Sequence, residues 1–198
     1  DTHYNHANIC KGTSKWGDKS RTRDFETLEE MNNAIVKSIN DVVGEEDILY
    51  FLGDWSFGGI NSIWEFRKQV ICKTIIFIPG NHDDHIVKNK VLPNAWQSSW
   101  HPLMDDIQLS AHSLFIISPE ITYLKYKKRL FILSHYPLEQ WKGMDKGTIH
   151  LHGHTHHTLD GSDLNMFFKR MDIGWEGKIY SADDIISEMD KRESKIHI

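Results

Sequence analysis

Phe77-Ile78-Pro79-Gly80-Asn81-His82-Asp83 is the stretch whose reading decides the fold. An apolar run over residues 75–78 stops at Pro-Gly, and an amide, an imidazole and a carboxylate follow in a row. An apolar run closed by turn residues reads as a buried strand entering a loop. Chemically capable side chains at such a strand end stand where open α/β sheets keep their sites. Four more short blocks share this character: Asp1-Thr2-His3, Gly53-Asp54, Ser134-His135 and Gly153-His154-Thr155-His156.

Outward from that loop, the first part of the chain alternates helix and strand. Thr27-Leu28-Glu29-Glu30 has the spacing of a capping box, and Leu28, Met31, Ile35, Val36 and Ile39 then recur at helical spacing, which predicts a helix to about Asn40. Residues 47–52 read as a buried strand, 60–70 as a helix and 73–78 as the next strand. Such alternation implies a parallel sheet in an α/β fold. The middle of the chain changes character, with strands expected over 107–109, 114–117, 121–126 and 130–133, at least partly antiparallel. The basic run 125–129 between two of them reads as a solvated hairpin turn, with a phosphate-attracting patch as the sharper alternative. Further strands are expected over 148–152 and 165–173, and Ser181 is the expected cap of a last helix. No linker or repeat divides the chain, so residues 1–198 read as a single domain.

Composition narrows the function classes. The chain has 198 residues, 39% hydrophobic and 26% charged, with a net charge of -5, which disfavours a long nucleic acid partner. A small anionic substrate held through metal ions remains compatible with that charge. Cys10 and Cys72 are the two cysteines, far apart and in no ligand spacing, so a disulfide framework is not expected and a reducing, cytoplasmic location is. No apolar stretch approaches the roughly 20 residues of a membrane span. Thirteen histidines is a high count. In extended backbone, Asp1 and His3 share one face, as do His154 and His156.

Each block alone is an ordinary polar turn, but the five blocks in this order resemble the calcineurin-like metallophosphoesterase family. The resemblance rests on Asp1-x-His3, Gly53-Asp54, Gly80-Asn81-His82-Asp83, Ser134-His135 and Gly153-His154-x-His156, over about residues 1–156. The text around the first block looks like small bacterial and phage members. The resemblance implies a four-layer α/β/β/α sandwich of two mixed sheets with two divalent metal ions at the sheet ends. It implies that Asp1, His3 and His156 hold one ion, that Asn81, His135 and His154 hold the other, and that Asp54 bridges them. Oxygen and nitrogen donors without thiolate suit Mn, with Fe, Zn or Ni as alternatives. The implied reaction is hydrolysis of a phosphodiester or phosphomonoester by metal-activated water. His82 would protonate the leaving oxygen or stabilise phosphoryl charge, and Asp83 would orient His82. His6, three residues after His3, is a candidate substrate contact, and His152 is expected behind the ligands or in the core. His85, His101, His112 and His157 are read as surface or core polar residues. The family also places an apolar strand ahead of the Asp-x-His block, which leads to the expectation of a leading strand before Asp1.

The favoured substrate is a small nucleotide-like phosphate ester, with no membrane partner and the oligomeric state open. A nuclease is the alternative among enzymes, and a non-catalytic scaffold on the same fold is the alternative outside them. The Trp-rich segment 88–118 is expected to border the cleft, where Trp96 and Trp100 would stack on a base or serve as apolar packing.

Overall fold

The structure, a computed structural model, describes residues 1–88 and 114–192. The strand expected over 107–109, together with Trp96, Trp100, His101 and His112, lies outside the described residues. Helix α1 spans Leu28–Val42 and begins at the capping box. The Thr27 hydroxyl accepts the Glu30 N–H at 3.2 Å, and the Glu30 carboxylate accepts the Thr27 N–H at 3.0 Å. Met31, Ile35 and Ile39 form its buried stripe.

β1 (Ile48–Leu52), α2 (Gly59–Arg67) and β2 (Thr74–Ile78) follow as a β-α-β unit, and α3 (Asp84–Val87) comes directly after the Asn-His-Asp loop. β1 and β2 pair in parallel with Leu52 opposite Ile78, and the short β3 (Ile116–Ile117) pairs in parallel with β2. A second sheet contains β4 (Ile121–Tyr126), β5 (Arg129–Ser134), β6 (Ile149–His152) and β7 (Arg170–Asp172), in that order. β4 and β5 form an antiparallel hairpin, while β5–β6 and β6–β7 are parallel. The second sheet is therefore mixed, as expected. The first is parallel throughout its described strands, because the helical crossover between β1 and β2 returns the chain in the same direction.

The basic run is a hairpin turn, with Lys127 and Lys128 in the left-handed region at φ 45 and 63. Lys127 and Arg129 pair with Asp183 and Asp190 of the last helix, α5 (Ala182–Asp190), at 2.8 Å each. Ser181 caps that helix, and its hydroxyl accepts the Asp184 N–H. The strand expected over 165–173 is corrected. Residues Asp163–Phe167 form the short helix α4, and only Arg170–Asp172 are strand. The Asn165 and Met166 N–H groups turn back onto the Ser162 carbonyl, and the Asn165 side chain accepts from Arg170, which favours a tight turn over an extended run.

Period-2 alternation sorts the strand side chains between two cores. Phe51, Ile75 and Phe77 face α1 and α2, in a cluster with Met31, Ile35 and Phe66. Leu52 and Ile78 turn the other way and cluster with Leu133 and Leu151 of the second sheet and with Ile185 and Met189 of α5. Ile132, between the inward-facing Phe131 and Leu133 of β5, packs on the far side with Trp141 and Phe168. Cys10 and Cys72 are both free and buried. Among the described residues no helix is long and apolar enough to cross a membrane.

His150 is fully buried in β6 and fixed in one tautomer. Its Nδ1–H donates to the Ile132 carbonyl at 3.1 Å, and its Nε2 accepts the Leu138 N–H at 2.9 Å. Burial pushes its pKa down to about 4, against the Ile132 carbonyl, which favours the charged form. In the unfolded chain the same imidazole takes up a proton near pH 6.5. Its contribution to stability is thus complete above that pH and is lost as pH falls toward 4. Urea melts at pH 7 and pH 5 are expected to differ by about 2 kcal/mol on account of this residue. The difference should shrink in His150→Gln, and an unchanged pH slope in that variant would remove His150 as its source.

Candidate metal centre

Parallel pairing brings the C-terminal ends of β1 and β2 to one edge, and those of β5 and β6 likewise. Each of these four ends runs into one of the sequence blocks. The chain start joins them through backbone bonds: the His3 and Tyr4 N–H groups donate to the Asp54 and Trp55 carbonyls at 3.1 and 3.3 Å, and Trp175 N–H donates to the Asp1 carbonyl at 3.0 Å. Arg23, buried and stacked over Trp175 at 4.8 Å, donates to the Thr2 carbonyl and so grips the turn between Asp1 and His3.

The loops approach so closely that two glycines are required. A Cβ on Gly53, at φ 77, would stand 2.5 Å from His135 Nδ1 and 2.6 Å from the Gly80 Cα. A Cβ on Gly80 would collide with the Asp54 carboxylate. The side chains on these loops are the ones that converge.

All seven expected ligand residues come together, in two groups that meet at Asp54. In the first, His3 Nε2 lies 2.8 Å from Asp1 Oδ1 and 3.4 Å from Asp54 Oδ2. The donor atoms of Asp1, His3 and His156 all lie within 4.8 Å of one another. In the second, Asn81 Oδ1 lies 3.0 Å from both His135 Nε2 and His154 Nδ1, which are 3.2 Å apart. His135 Nε2 is also 3.7 Å from Asp54 Oδ2. His154 and His156 serve different groups, instead of sharing a face as an extended segment would allow. Both are in the left-handed region, at φ 65 and 46, and that winding turns them apart.

These donors fit divalent cations. Asp1 Oδ1 and His3 Nε2 are buried and close, yet their angle does not make a hydrogen bond, so both atoms lack a partner. The His135 Nδ1 lies 2.9 Å from the Leu52 carbonyl, which can only accept. The proton is therefore on Nδ1, and the bare Nε2 lone pair faces Asn81 Oδ1 and Asp54. Donor atoms about 2.1 Å from a common cation and at right angles stand about 3.0 Å apart, which matches the second group. Burial pushes His3 down to about 2 and His156 to about 3, so both stay neutral, as ligation needs.

His82 lies beside this set with an exposed ring. Its N–H donates to Asp54 Oδ1 at 2.9 Å, and its ring leans on Phe57 at 4.6 Å and meets His3 edge-on at 5.7 Å. Asp83 does something other than orient that ring. Its carboxylate accepts the N–H groups of Asp54 (2.6 Å), Gly80 (2.7 Å) and Trp55 (2.9 Å), and it is buried among these loops. His6 stacks on Phe57 at 3.7 Å, next to His3, and burial pushes it down to about 4. His85 is exposed, while His152 is fully buried.

Sequence reading missed Asp172, a buried carboxylate at the end of β7. It accepts the Thr155 hydroxyl, the His157 N–H at 3.0 Å and the Gly174 N–H at 2.7 Å. Burial raises its pKa, but the Thr155 hydroxyl and these N–H groups outweigh that and hold it below the usual range. It thereby braces the loop that holds His154 and His156. A lone acid in an otherwise apolar and basic stretch was the one available signal.

No family model matches the chain. Over 94 residues it is 39% identical to an uncharacterized protein of Methanocaldococcus jannaschii, a match covering 46% of this chain and 48% of that protein. The chain thus spans about half the length of the curated relative it matches. Among solved structures it is similar to a protein of unknown function from Aquifex aeolicus, with a TM-score of 0.59 and 20% identity over 96% of this chain and 95% of that one. At that identity the likeness extends to the fold.

Asp172→Asn puts an amide where three donors converge. It is expected to weaken cation binding about 10- to 100-fold, by analogy with other residues that hold metal ligands in place. Titration of the chelator-treated protein with Mn²⁺ checks this. Unchanged affinity together with an unchanged far-UV spectrum would count against a bracing role.

Proposed function

We propose that the protein is a dinuclear metal-dependent phosphoesterase, built as one domain on a four-layer α/β/β/α sandwich. The observation that carries this reading is the pair of nitrogen–oxygen donor groups sharing Asp54, with no thiolate in either. The five sequence blocks and their order support the same reading. Mn²⁺ suits such donors, and Fe, Zn and Ni are compatible. When bound, two such ions polarise the phosphoryl oxygens and lower the pKa of a water molecule.

The chain's own contribution falls to a few groups. Asp1, His3 and His156 would hold one ion, Asn81, His135 and His154 the other, and Asp54 both. In this reading His82 gives a proton to the departing oxygen. Its backbone is fixed by Asp54 Oδ1 and its ring by Phe57. Asp83 acts on His82 through the backbone of the loop, not through the imidazole. The net charge of -5 favours a small phosphate ester over a long nucleic acid.

The test is hydrolysis of p-nitrophenyl phosphate and bis(p-nitrophenyl) phosphate with Mn²⁺ and with chelator. Chelator is expected to abolish turnover. On an ester whose leaving group is an alkoxide, such as glycerol phosphate or a dialkyl phosphate, His82→Ala should lower kcat by about 10²- to 10⁴-fold while metal content stays at the wild-type level. Wild-type turnover in that variant sinks the role given to His82. A metal-loaded protein that hydrolyses neither ester is a metal-binding scaffold instead.

A further inference from the structure

Two clefts flank the candidate centre, and their chemistry differs. The larger, about 820 Å³, opens on the His154 and His156 side, and its walls include Trp16, Arg21, Thr22 and Glu176. The smaller, about 330 Å³, lies between Phe57-Gly58 and Asn81-His82. Each cleft reaches the donor residues, the larger at His154 and His156 and the smaller at Asn81. A rail of aromatic rings joins the two: His82 leans on Phe57, Phe57 stacks on His6, and His6 meets the Trp16 indole edge-on at 6.2 Å. Trp16 is 41% exposed, unusual for so large an apolar ring beside a polar centre.

A phosphomonoester has one substituent to accommodate, whereas a phosphodiester has two, which diverge from phosphorus at about the tetrahedral angle. Two distinct clefts that both reach the donor residues match the second case. The proton donor fixes their polarity. His82 lines the smaller cleft, so the oxygen it protonates departs on that side. The retained substituent then occupies the larger cleft. Its volume lies in the range that encloses a ligand of nucleoside size. The exposed indole offers a stacking face for a base. The half-exposed Glu176 carboxylate is an acceptor for a sugar hydroxyl, as acidic residues are at other ribose sites. The Arg21 guanidinium adds positive charge at the rim.

We infer that this is a phosphodiesterase site whose larger cleft holds a retained nucleoside, with its base on Trp16, and whose smaller cleft releases the alcohol. The inference rests on the phosphoesterase reading above. Water's oxygen bonds to phosphorus and gives up one proton to solvent, the bond from phosphorus to the alcohol oxygen breaks, and that oxygen leaves with a proton from His82, which solvent then restores. The products are a nucleoside monophosphate and a free alcohol.

The test holds the leaving group constant and varies the retained group. Thymidine 5′-(p-nitrophenyl phosphate) and methyl p-nitrophenyl phosphate both release p-nitrophenolate. With Mn²⁺ the thymidine ester is expected to have a kcat/KM about tenfold higher, carried by KM, as stacking of one base implies. Trp16→Ala should bring the ratio close to one, and Trp16→Phe should preserve most of it. Binding gives an independent readout. By calorimetry, thymidine 5′-monophosphate should bind the chelator-treated protein about tenfold more tightly than methyl phosphate, and Trp16→Ala should erase that difference. Equal kcat/KM for the two esters, a ratio indifferent to Trp16→Ala, or a monoester turned over faster than either diester overturns the cleft assignment and leaves the phosphoesterase reading standing. Failure to hydrolyse any of these esters overturns both.

Discussion

The Asp83 carboxylate is the constraint on which the rest of the centre depends. It is 2% exposed and accepts three backbone N–H groups, from Gly80 on one loop and from Asp54 and Trp55 on the other. Burial raises its pKa, and the three N–H donors oppose that rise. Hydrogen bonds to a charged group are worth about 1.5–3 kcal/mol each, and a buried acceptor left without them costs more than it returns. The clamp locks the end of β1 to the end of β2. It also holds Asp54 in the left-handed region at φ 52, which a non-glycine residue does not adopt without support. Asp54 in turn holds the His82 N–H, so a hydrogen bond beneath the loops fixes a side chain above them.

The same economy recurs across the sheet edge. Asp172 does for the His154–His156 loop what Asp83 does for the Gly53 and Gly80 loops, with three donors again gathered on one carboxylate. Four of the seven candidate donor residues, His3, Asp54, His154 and His156, have positive φ. Each such conformation costs on the order of 1–3 kcal/mol, and buried acceptors of this kind are what hold it in place. The candidate donors are therefore held by backbone strain balanced against buried hydrogen bonds.

Much of this was legible in the sequence, and the reasons are local. The capping box at Thr27 and Glu30 and the apolar runs before Gly53 and Gly80 are short-range signals, and α1, β1 and β2 follow them closely. That the seven expected donor residues gather was legible because each block after the first follows a strand, and strand ends collect at one edge. What escaped is long-range. Residues 165–173 are apolar enough for a strand, yet the Arg170–Asn165 bond and the turn at Ser162 wind the first part into helix. Asp83 sits next to His82 in sequence and so reads as its partner. Only the folded loops show that both its oxygens are taken by backbone N–H groups. That His154 and His156 part company likewise depends on φ values no spacing rule contains.

The core between the two sheets has a chemical meaning as well as a structural one. Leu52, Ile78, Leu133 and Leu151 form one buried cluster, and each lies within three residues of a ligand: Asp54, Asn81, His135 and His154. The first two ligands ride on one sheet and the last two on the other. The thickness of this apolar layer therefore sets the gap across which the donors face one another. A methylene added or removed there is felt by the loops on both sheets, because a close-packed layer has no slack to absorb it. In the proposed centre, preference among cations of different radius would then answer to hydrocarbon packing as well as to the donor atoms.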